Sequence, residues 1–222
     1  GRLGAQLWIA LGILPDILLD QPLGNTRRDR MLGDLAKSWR TFEEIAASLP
    51  SSCDLADTRL ALVLDQLERS GGEAAVLTLA ALRERGLVTK ATWRRVARLL
   101  ELGPLPVPEG QQRWFLHRAG ELWPAAVSRG ATLTGDVDDK DSRASRLASA
   151  VALATGRAAE IFDPPPLVTG HDLRQRQALA PGPRMGRILA ILYRRQIEGR
   201  ITSRRQALEI AARLLAGNDP SD

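Results

Sequence analysis

Three runs in the last third of the chain each predict the start of a helix: Pro166-Leu-Val-Thr-Gly-His-Asp-Leu173, Ala180-Pro-Gly-Pro-Arg-Met-Gly-Arg187 and Ile197-Glu-Gly-Arg-Ile-Thr-Ser203. Thr169 precedes Asp172 by three residues, and Ser203 precedes Gln206 by three. This is the spacing of a capping box, in which side chains satisfy free backbone N–H groups. Pro183 suits the first turn of a helix, where a missing N–H costs nothing.

Apolar residues recur at helical spacing through most of the remaining chain. The segments with this pattern are 5–19, 28–48, 54–69, 73–85, 90–102, 111–129 and 142–159. Leucine, alanine and arginine dominate, and runs of β-branched residues, which favour strands, are missing. We therefore expect an all-α fold.

Phe162-Asp-Pro-Pro-Pro166 is the best candidate for a domain boundary. Three consecutive prolines cannot continue a helix, and they form a stiff extended connector. We expect a multi-helix body over residues 1–162 and a small C-terminal helical tail domain over residues 167–216.

The amino-acid composition indicates in which cellular compartment the protein is expected. Cys53 is the single cysteine, so no internal disulfide can form, which suits a reducing environment. The apolar stretch 3–19 is broken by Gly12 and Pro15 and contains Asp16, so we do not expect it to span a membrane. No signal-peptide pattern opens the chain. We expect a cytoplasmic protein with no membrane partner.

Positive charge is concentrated near the end of the chain. The formal net charge is +5 overall, yet residues 167–215 hold ten arginines against three carboxylates, while residues 1–166 are balanced. This asymmetry points to a polyanionic partner, although arginine-rich proteins also carry basic faces that contact only water.

The predicted helix that begins at Pro183 separates its basic residues from its apolar ones. At about 100° per residue, four arginines share about one third of the circumference: Arg184, Arg187, Arg194 and Arg195. Guanidinium groups bind phosphate through fixed forks of donors, and the free N–H groups at a helix N-terminus also favour an anion.

A second basic cluster lies on the predicted helix 90–102, where Arg94, Arg95 and Arg98 share a face. Arg113 and Arg118 on the next helix are expected to extend it. A single basic face of this kind is also found on an ordinary amphipathic helix, but several basic faces together favour nucleic-acid binding.

Two of the five tryptophans, Trp93 and Trp114, are flanked by arginines and are candidate platforms for base stacking. In a chain with so few aromatic residues, tryptophans more often anchor a core.

The tail motifs resemble the C-terminal part of the bacterial tRNA nucleotidyltransferase (CCA-adding enzyme)/poly(A) polymerase family. Three runs follow the order and spacing of that family: Leu167-Val-Thr-Gly-His-Asp-Leu173, Pro181-Gly-Pro-Arg-Met-Gly186 and Gly199-Arg-Ile-Thr-Ser-Arg-Arg-Gln-Ala-Leu208. Two body segments, 92–100 and 114–122, are similar more loosely.

The catalytic head of that family, which holds Mg²⁺ on paired aspartates and binds a nucleotide, has no match here. Asp136 and Asp138 have suitable spacing for Mg²⁺ but lie in a polar run typical of a solvated loop. We expect the body and tail without the head, either as a fragment or as a headless relative. The resemblance implies Mg²⁺ and ATP or CTP for the missing head, and no cofactor in this segment.

Many members also carry an HD-type metal site. In the corresponding stretch, residues 59–67, Leu64 stands where the histidine would be. The two histidines, His117 and His171, lie elsewhere, and a metal phosphohydrolase site needs several converging ligands. No Ser-His-Asp set, Cys-His set or P-loop is present either. We predict no catalytic residue and no metal-ligating residue.

The resemblance implies an RNA-binding region that positions RNA, in particular tRNA, for nucleotide addition at its 3′ end. The residues predicted to contact RNA phosphates are Arg184, Arg187, Arg194, Arg195, Arg94, Arg95 and Arg98. Two alternatives stay open: a helical protein-interaction scaffold with no nucleic-acid role, and a helix-hairpin-helix DNA binder over residues 169–186. CCA addition and poly(A) addition are equally compatible with this region, as is any oligomeric state.

Overall fold

The computed structural model describes residues 25–47, 49, 56–69, 74–133 and 140–216. Within these ranges the chain forms α-helices and a 3-10 turn at Gly120–Leu122, with no strand. The predicted all-α class is confirmed. Among the helices of these ranges, none combines the length and the apolar composition that a membrane span requires. The helix predicted over 5–19 lies outside the described residues.

Most helices agree with the apolar periodicity to within a few residues. In chain order they are α1 (Asn25–Ala46), α2 (Ala56–Arg69), α3 (Ala75–Glu84), α4 (Lys90–Leu100), α5 (Glu109–Ala119), α6 (Trp123–Leu133), α7 (Lys140–Gly156), α8 (Ala158–Phe162), α9 (Gly170–Gln177), α10 (Pro183–Ile197) and α11 (Arg204–Leu215).

The segment predicted as one helix over 111–129 is two helices. Gly120 takes φ of 58°, a left-handed conformation that stops α5, and the chain resumes as α6. Periodicity misses this break because apolar residues continue on both sides of it. The segment predicted over 142–159 is likewise divided, between α7 and α8.

The chain divides into two compact units. The first contains the described residues up to Pro104 together with those of Pro124–Arg143, and the second contains Leu105–Trp123 together with the described residues from Ala144 onward. The proposed boundary at residues 162–166 therefore lies inside the second unit, which also takes in α5, most of α7 and α8.

In the first unit, α2 packs against α1, α3 and α4. The buried Arg129 of α6 forms a bidentate pair with Asp65 of α2, with both N···O distances at 2.7 Å. Its remaining terminal nitrogen donates to the carbonyl oxygens of Leu99 and Leu102 at the end of α4. Because a buried guanidinium is costly unless its donors are satisfied, this side chain ties three helices together.

The tail of the second unit is a group of three helices, α9, α10 and α11, around one hydrophobic cluster. Its buried members are Val168, Leu173, Met185, Ile188, Leu192, Ile201, Ala207 and Ala211. The capping box predicted at Thr169 and Asp172 is formed, and α10 begins at its predicted proline. At α11 the Ser203 side chain accepts from the Gln206 N–H as predicted, but the Gln206 side chain accepts from Thr202 N–H instead of from Ser203.

The buried Arg113 of α5 joins that helix to two others. Its Nε donates to the carbonyl oxygen of Ile197 at 2.7 Å, and its Nη2 lies 3.0 Å from Oε2 of Glu160 on α8. Gly110, one turn earlier, comes so close to the end of α10 that a Cβ there would lie 2.9 Å from the carbonyl oxygen of Glu198. The second unit therefore depends on close packing of α5 against the end of α10.

Replacing Gly110 with alanine should destabilise the protein by about 1–3 kcal/mol, because the clashing atom is backbone and cannot rotate away. The matched control is Gly186→Ala in α10, where an added Cβ meets nothing within 4 Å. There alanine should stabilise by about 0.5–1 kcal/mol through its better helix propensity. Urea unfolding followed by far-UV circular dichroism measures both, and equal effects of the two changes would contradict the proposed contact.

Candidate nucleic-acid interface

The arginines predicted on α10 differ in exposure. Arg184, Arg187 and Arg194 are exposed, whereas Arg195 is half-buried. The helix is anchored on its apolar side, where Met185, Ile188 and Leu192 enter the hydrophobic cluster. One face of α10 thus packs while the basic sector faces outward, as its periodicity predicts.

A buried carboxylate organises two of the exposed arginines. Glu198 keeps 5% of its side chain accessible and accepts from Arg194 Nε at 2.7 Å. Its other oxygen lies 3.3 Å from Nε of Arg200. Both arginine side chains remain 57% exposed. The pairing fixes the inner edge of each guanidinium and leaves outward donors for a ligand.

Arg184 and Arg187 are held differently. Arg184 Nη2 donates to the carbonyl oxygen of Leu215 at the end of α11, at 2.7 Å, which brings the start of α10 beside the end of α11. Arg187 makes no ion pair within the described part of the chain. Neither arginine is neutralised by a carboxylate there, so both keep their full positive charge for an anion.

The other arginines of the tail are also exposed, and one of them is positioned by the capping box of α9. They are Arg174, Arg176, Arg200, Arg204, Arg205 and Arg213. Arg204 Nη2 donates to Oδ1 of Asp172, whose other carboxylate oxygen accepts from the Thr169 backbone and hydroxyl. The hydrogen bonds from Thr169, aided by Arg204, lower the pKa of Asp172 from 3.8 to about 2.

The second predicted cluster, on α4 in the first unit, has more of its charge paired. Arg94, Arg95 and Arg98 are all exposed. Arg95 forms an ion pair with Asp57, and Arg98 Nη1 lies 3.3 Å from Oε2 of Glu101. The net field at this surface is therefore weaker than its three arginines suggest.

Arg113 does not extend a basic stripe, contrary to expectation, because it is buried and hydrogen-bonded inside the second unit. Arg118 is half-buried. The sequence offers no sign of this difference, since both arginines occupy the same predicted helix.

The two tryptophans proposed for stacking are each half-buried and already in contact with an arginine. The Arg83 guanidinium lies 4.7 Å from the Trp93 ring centroid, and the Arg194 guanidinium lies 5.5 Å from the Trp114 ring centroid. Trp114 also stacks on His117, whose Nδ1 is 2.7 Å from the carbonyl oxygen of Ile161. This contact requires His117 to donate, which gives the ring a structural role.

The stretch 59–67, which corresponds to the HD-type segment of the family, has a structural role. Leu64 is fully buried, and Asp65 is paired with Arg129. Among the described residues no group of three or more His, Cys, Asp or Glu side chains could hold a metal ion. Asp136 and Asp138 lie outside the described part of the chain.

Comparison with known proteins supports the resemblance seen in the motifs. Residues 147–212 match the family described as tRNA nucleotidyltransferase domain 2. The A-adding tRNA nucleotidyltransferase of Deinococcus radiodurans is 29% identical over 149 residues, which cover 63% of this chain and 33% of that protein. The match thus spans about a third of the relative's length. No solved structure matches the chain. The predicted resemblance to the tRNA nucleotidyltransferase family is confirmed.

The low pKa of Asp172 predicts an acid-sensitive contribution to stability. Because the pKa is depressed on folding, the contribution is present above about pH 4 and is lost as pH falls toward about 2. Asp172→Asn should be less stable than the native protein at neutral pH, and the difference should shrink between about pH 4 and about pH 2.

Urea unfolding at a series of pH values measures the effect, with Glu209→Gln as the control at an exposed carboxylate of the same tail. A difference between native protein and Asp172→Asn that stays constant down to about pH 2 would contradict the assignment.

Proposed function

From its relationship to the tRNA nucleotidyltransferase family, we propose that this protein binds RNA through the second unit and positions the RNA for nucleotide addition at its 3′ end. The observation that carries the proposal is the exposed basic sector of α10, formed by Arg184, Arg187 and Arg194. Arg195, which is half-buried, borders this sector.

The chemistry of the surface suits a ribose-phosphate backbone. Planar guanidinium groups offer paired donors to phosphate oxygens, and phosphate contacts fix register without reading sequence. Two of the three carboxylates in residues 167–215, Asp172 and Glu198, are buried under the arginines they hold. The outer surface therefore keeps its positive charge, and several guanidinium groups are oriented before RNA arrives, which lowers the entropic cost of binding.

We propose tRNA as the RNA, because the matched relative is an A-adding tRNA nucleotidyltransferase. A protein bound to the acceptor stem and its stacked arm reads A-form shape through phosphates and 2′-hydroxyls. We propose that a protein with this function acts in the cytoplasm.

The described residues offer no acidic cluster that would fit Mg²⁺. By the family resemblance we propose that Mg²⁺, ATP or CTP, and the choice between CCA and poly(A) addition, belong to a catalytic head of the family type, and we derive no catalytic step from this chain.

We include Arg94, Arg95 and Arg98 of the first unit as secondary contacts. Arg94 has no ion pair within the described residues, whereas Arg95 and Arg98 already have carboxylate partners. Their summed contribution should be smaller than that of the α10 arginines, because Asp57 and Glu101 partly cancel the positive charge at this surface.

Charge reversal on α10 tests the proposal. The double variant Arg184→Glu/Arg187→Glu should weaken tRNA binding by at least about tenfold and lower the slope of log K against log salt by about 2 or more. Fluorescence anisotropy with labelled tRNA over a salt series measures both quantities. These two residues are preferred to Arg194, whose loss would leave the buried Glu198 with one partner fewer.

The matched control is Arg30→Glu/Arg40→Glu, which makes the same charge change at two exposed arginines of α1. It should leave the affinity within about twofold. Equal loss in both variants would indicate attraction by net charge alone. Weak, salt-insensitive binding by the native protein would favour the protein-interaction scaffold. Tighter binding of duplex DNA than of tRNA would favour the helix-hairpin-helix alternative.

A further inference from the structure

The chain turns sharply at the end of α10. Gly199 takes φ of 77°, a left-handed conformation that glycine adopts without strain. The N–H groups of Gly199 and Arg200 donate to carbonyl oxygens in the last turn of α10, at 3.0 and 2.9 Å, which is the bonding pattern of a Schellman motif. The turn carries Arg200 back beside the helix end, so that its side chain reaches the same carboxylate as Arg194, that of Glu198.

The carboxylate of Glu198 lies between the two guanidinium groups. One of its oxygens is 2.7 Å from Nε of Arg194, and the other is 3.3 Å from Nε of Arg200. Among the described residues, the terminal nitrogens of both arginines have no hydrogen-bond partner. Each arginine thus uses its inner nitrogen for Glu198 and keeps its Nη1–Nη2 edge, whose N–H groups match two oxygens of a phosphate. Since two guanidinium groups share one carboxylate, the cluster keeps a net positive charge.

The plane of the Arg194 guanidinium is fixed as well. Its central carbon lies 5.5 Å from the ring centroid of Trp114, and Trp114 is itself stacked on His117 with centroids 5.3 Å apart. Stacking on an aromatic ring covers one face of a guanidinium and leaves its edge open. Arg194 is therefore held by its inner nitrogen and by one face, while more than half of its side chain remains exposed.

We propose that Glu198 is a positioning residue for RNA binding and that Arg200 joins Arg194 as a contact to backbone phosphates. The inference rests on the RNA-binding function proposed above. A guanidinium that is already held loses less conformational entropy when a phosphate binds to it. Because the Glu198 carboxylate is buried and shared by two arginines, this benefit exceeds its repulsion of the phosphate.

Glu198→Gln tests the proposal by the sign of its effect. The change makes the protein more positive, so attraction by net charge alone predicts tighter tRNA binding and a steeper dependence on salt. Loss of positioning predicts the opposite, namely binding weaker by about fivefold with a salt slope that does not steepen. Fluorescence anisotropy with labelled tRNA over a salt series measures both quantities. Tighter or unchanged binding would overturn the proposal.

The matched control is Glu209→Gln on α11, which makes the same charge change at an exposed carboxylate. Glu209 lies 3.9 Å from Arg205, whose side chain is 88% exposed and is not held by a buried group. This variant should bind tRNA as tightly as the native protein or up to about twofold more tightly. Circular dichroism and a stoichiometric titration verify that both variants are folded and fully active. An equal loss of affinity in the two variants would show that Glu198 has no special role.

Two single arginine changes test Arg200 without altering the buried carboxylate. Arg200→Ala and Arg205→Ala remove the same charge from neighbouring parts of the tail, and Glu198 keeps Arg194 as a partner in both variants. Arg200→Ala should weaken tRNA binding by about fivefold, whereas Arg205→Ala should weaken it by less than about twofold. Equal losses would overturn the assignment of Arg200, and this comparison remains decisive if Glu198→Gln fails to fold.

The double variant Glu198→Gln/Arg200→Ala tests whether Glu198 acts through the arginine. If it does, Glu198→Gln should weaken binding less when Arg200 is already absent than it does in the native protein. Full additivity of the two changes would overturn the positioning role.

The outcomes separate the two proposals. If tRNA binding falls in Arg184→Glu/Arg187→Glu but rises in Glu198→Gln, the RNA-binding function stands and the positioning role is overturned. If the native protein binds tRNA weakly and without dependence on salt, both proposals are overturned.

Discussion

Each of the two units depends on one buried arginine, whose guanidinium group must find hydrogen-bond partners inside the protein. In the second unit Arg113 connects α5 to the end of α10 and to Glu160 of α8, and in the first unit Arg129 connects α6 to Asp65 and to the end of α4. A cation removed from water must recover its lost hydration through specific hydrogen bonds, and each of these two recovers it partly from carbonyl oxygens at a helix end. The last carbonyl groups of a helix have no N–H partner within it, so the contact between Arg113 and the Ile197 carbonyl satisfies two groups that would otherwise be costly to bury.

Two buried carboxylates of the tail hold arginines that lie at the surface. Asp172 and Glu198 are buried, yet each holds an arginine whose outer edge faces solvent. The tail thus keeps two of its three carboxylates, Asp172 and Glu198, underneath and most of its arginines outside, so its surface is more positive than the count of charged residues suggests. This arrangement links the stability of the tail to the orientation of the groups proposed to bind RNA.

Local signals predicted the parts of the structure that depend on near neighbours. The capping residue Thr169, the proline at position 183 and the basic sector of α10 all follow from residues within one or two turns of each other. The break at Gly120 was missed because periodicity averages over a window, while a left-handed glycine acts at one position. The burial of Arg113 was missed because its partners are distant along the chain, at Glu160 and Ile197.

The amino-acid sequence alone was enough to predict the helical class, the positions of the tail helix starts, the concentration of charge near the end of the chain and the resemblance to the tRNA nucleotidyltransferase family. These properties arise from composition, short-range hydrogen bonding and motif spacing. The packing of the helices settled which arginines are structural and which face outward. This result depends on burial, and burial is set by which segments pack together, a property that no local pattern contains.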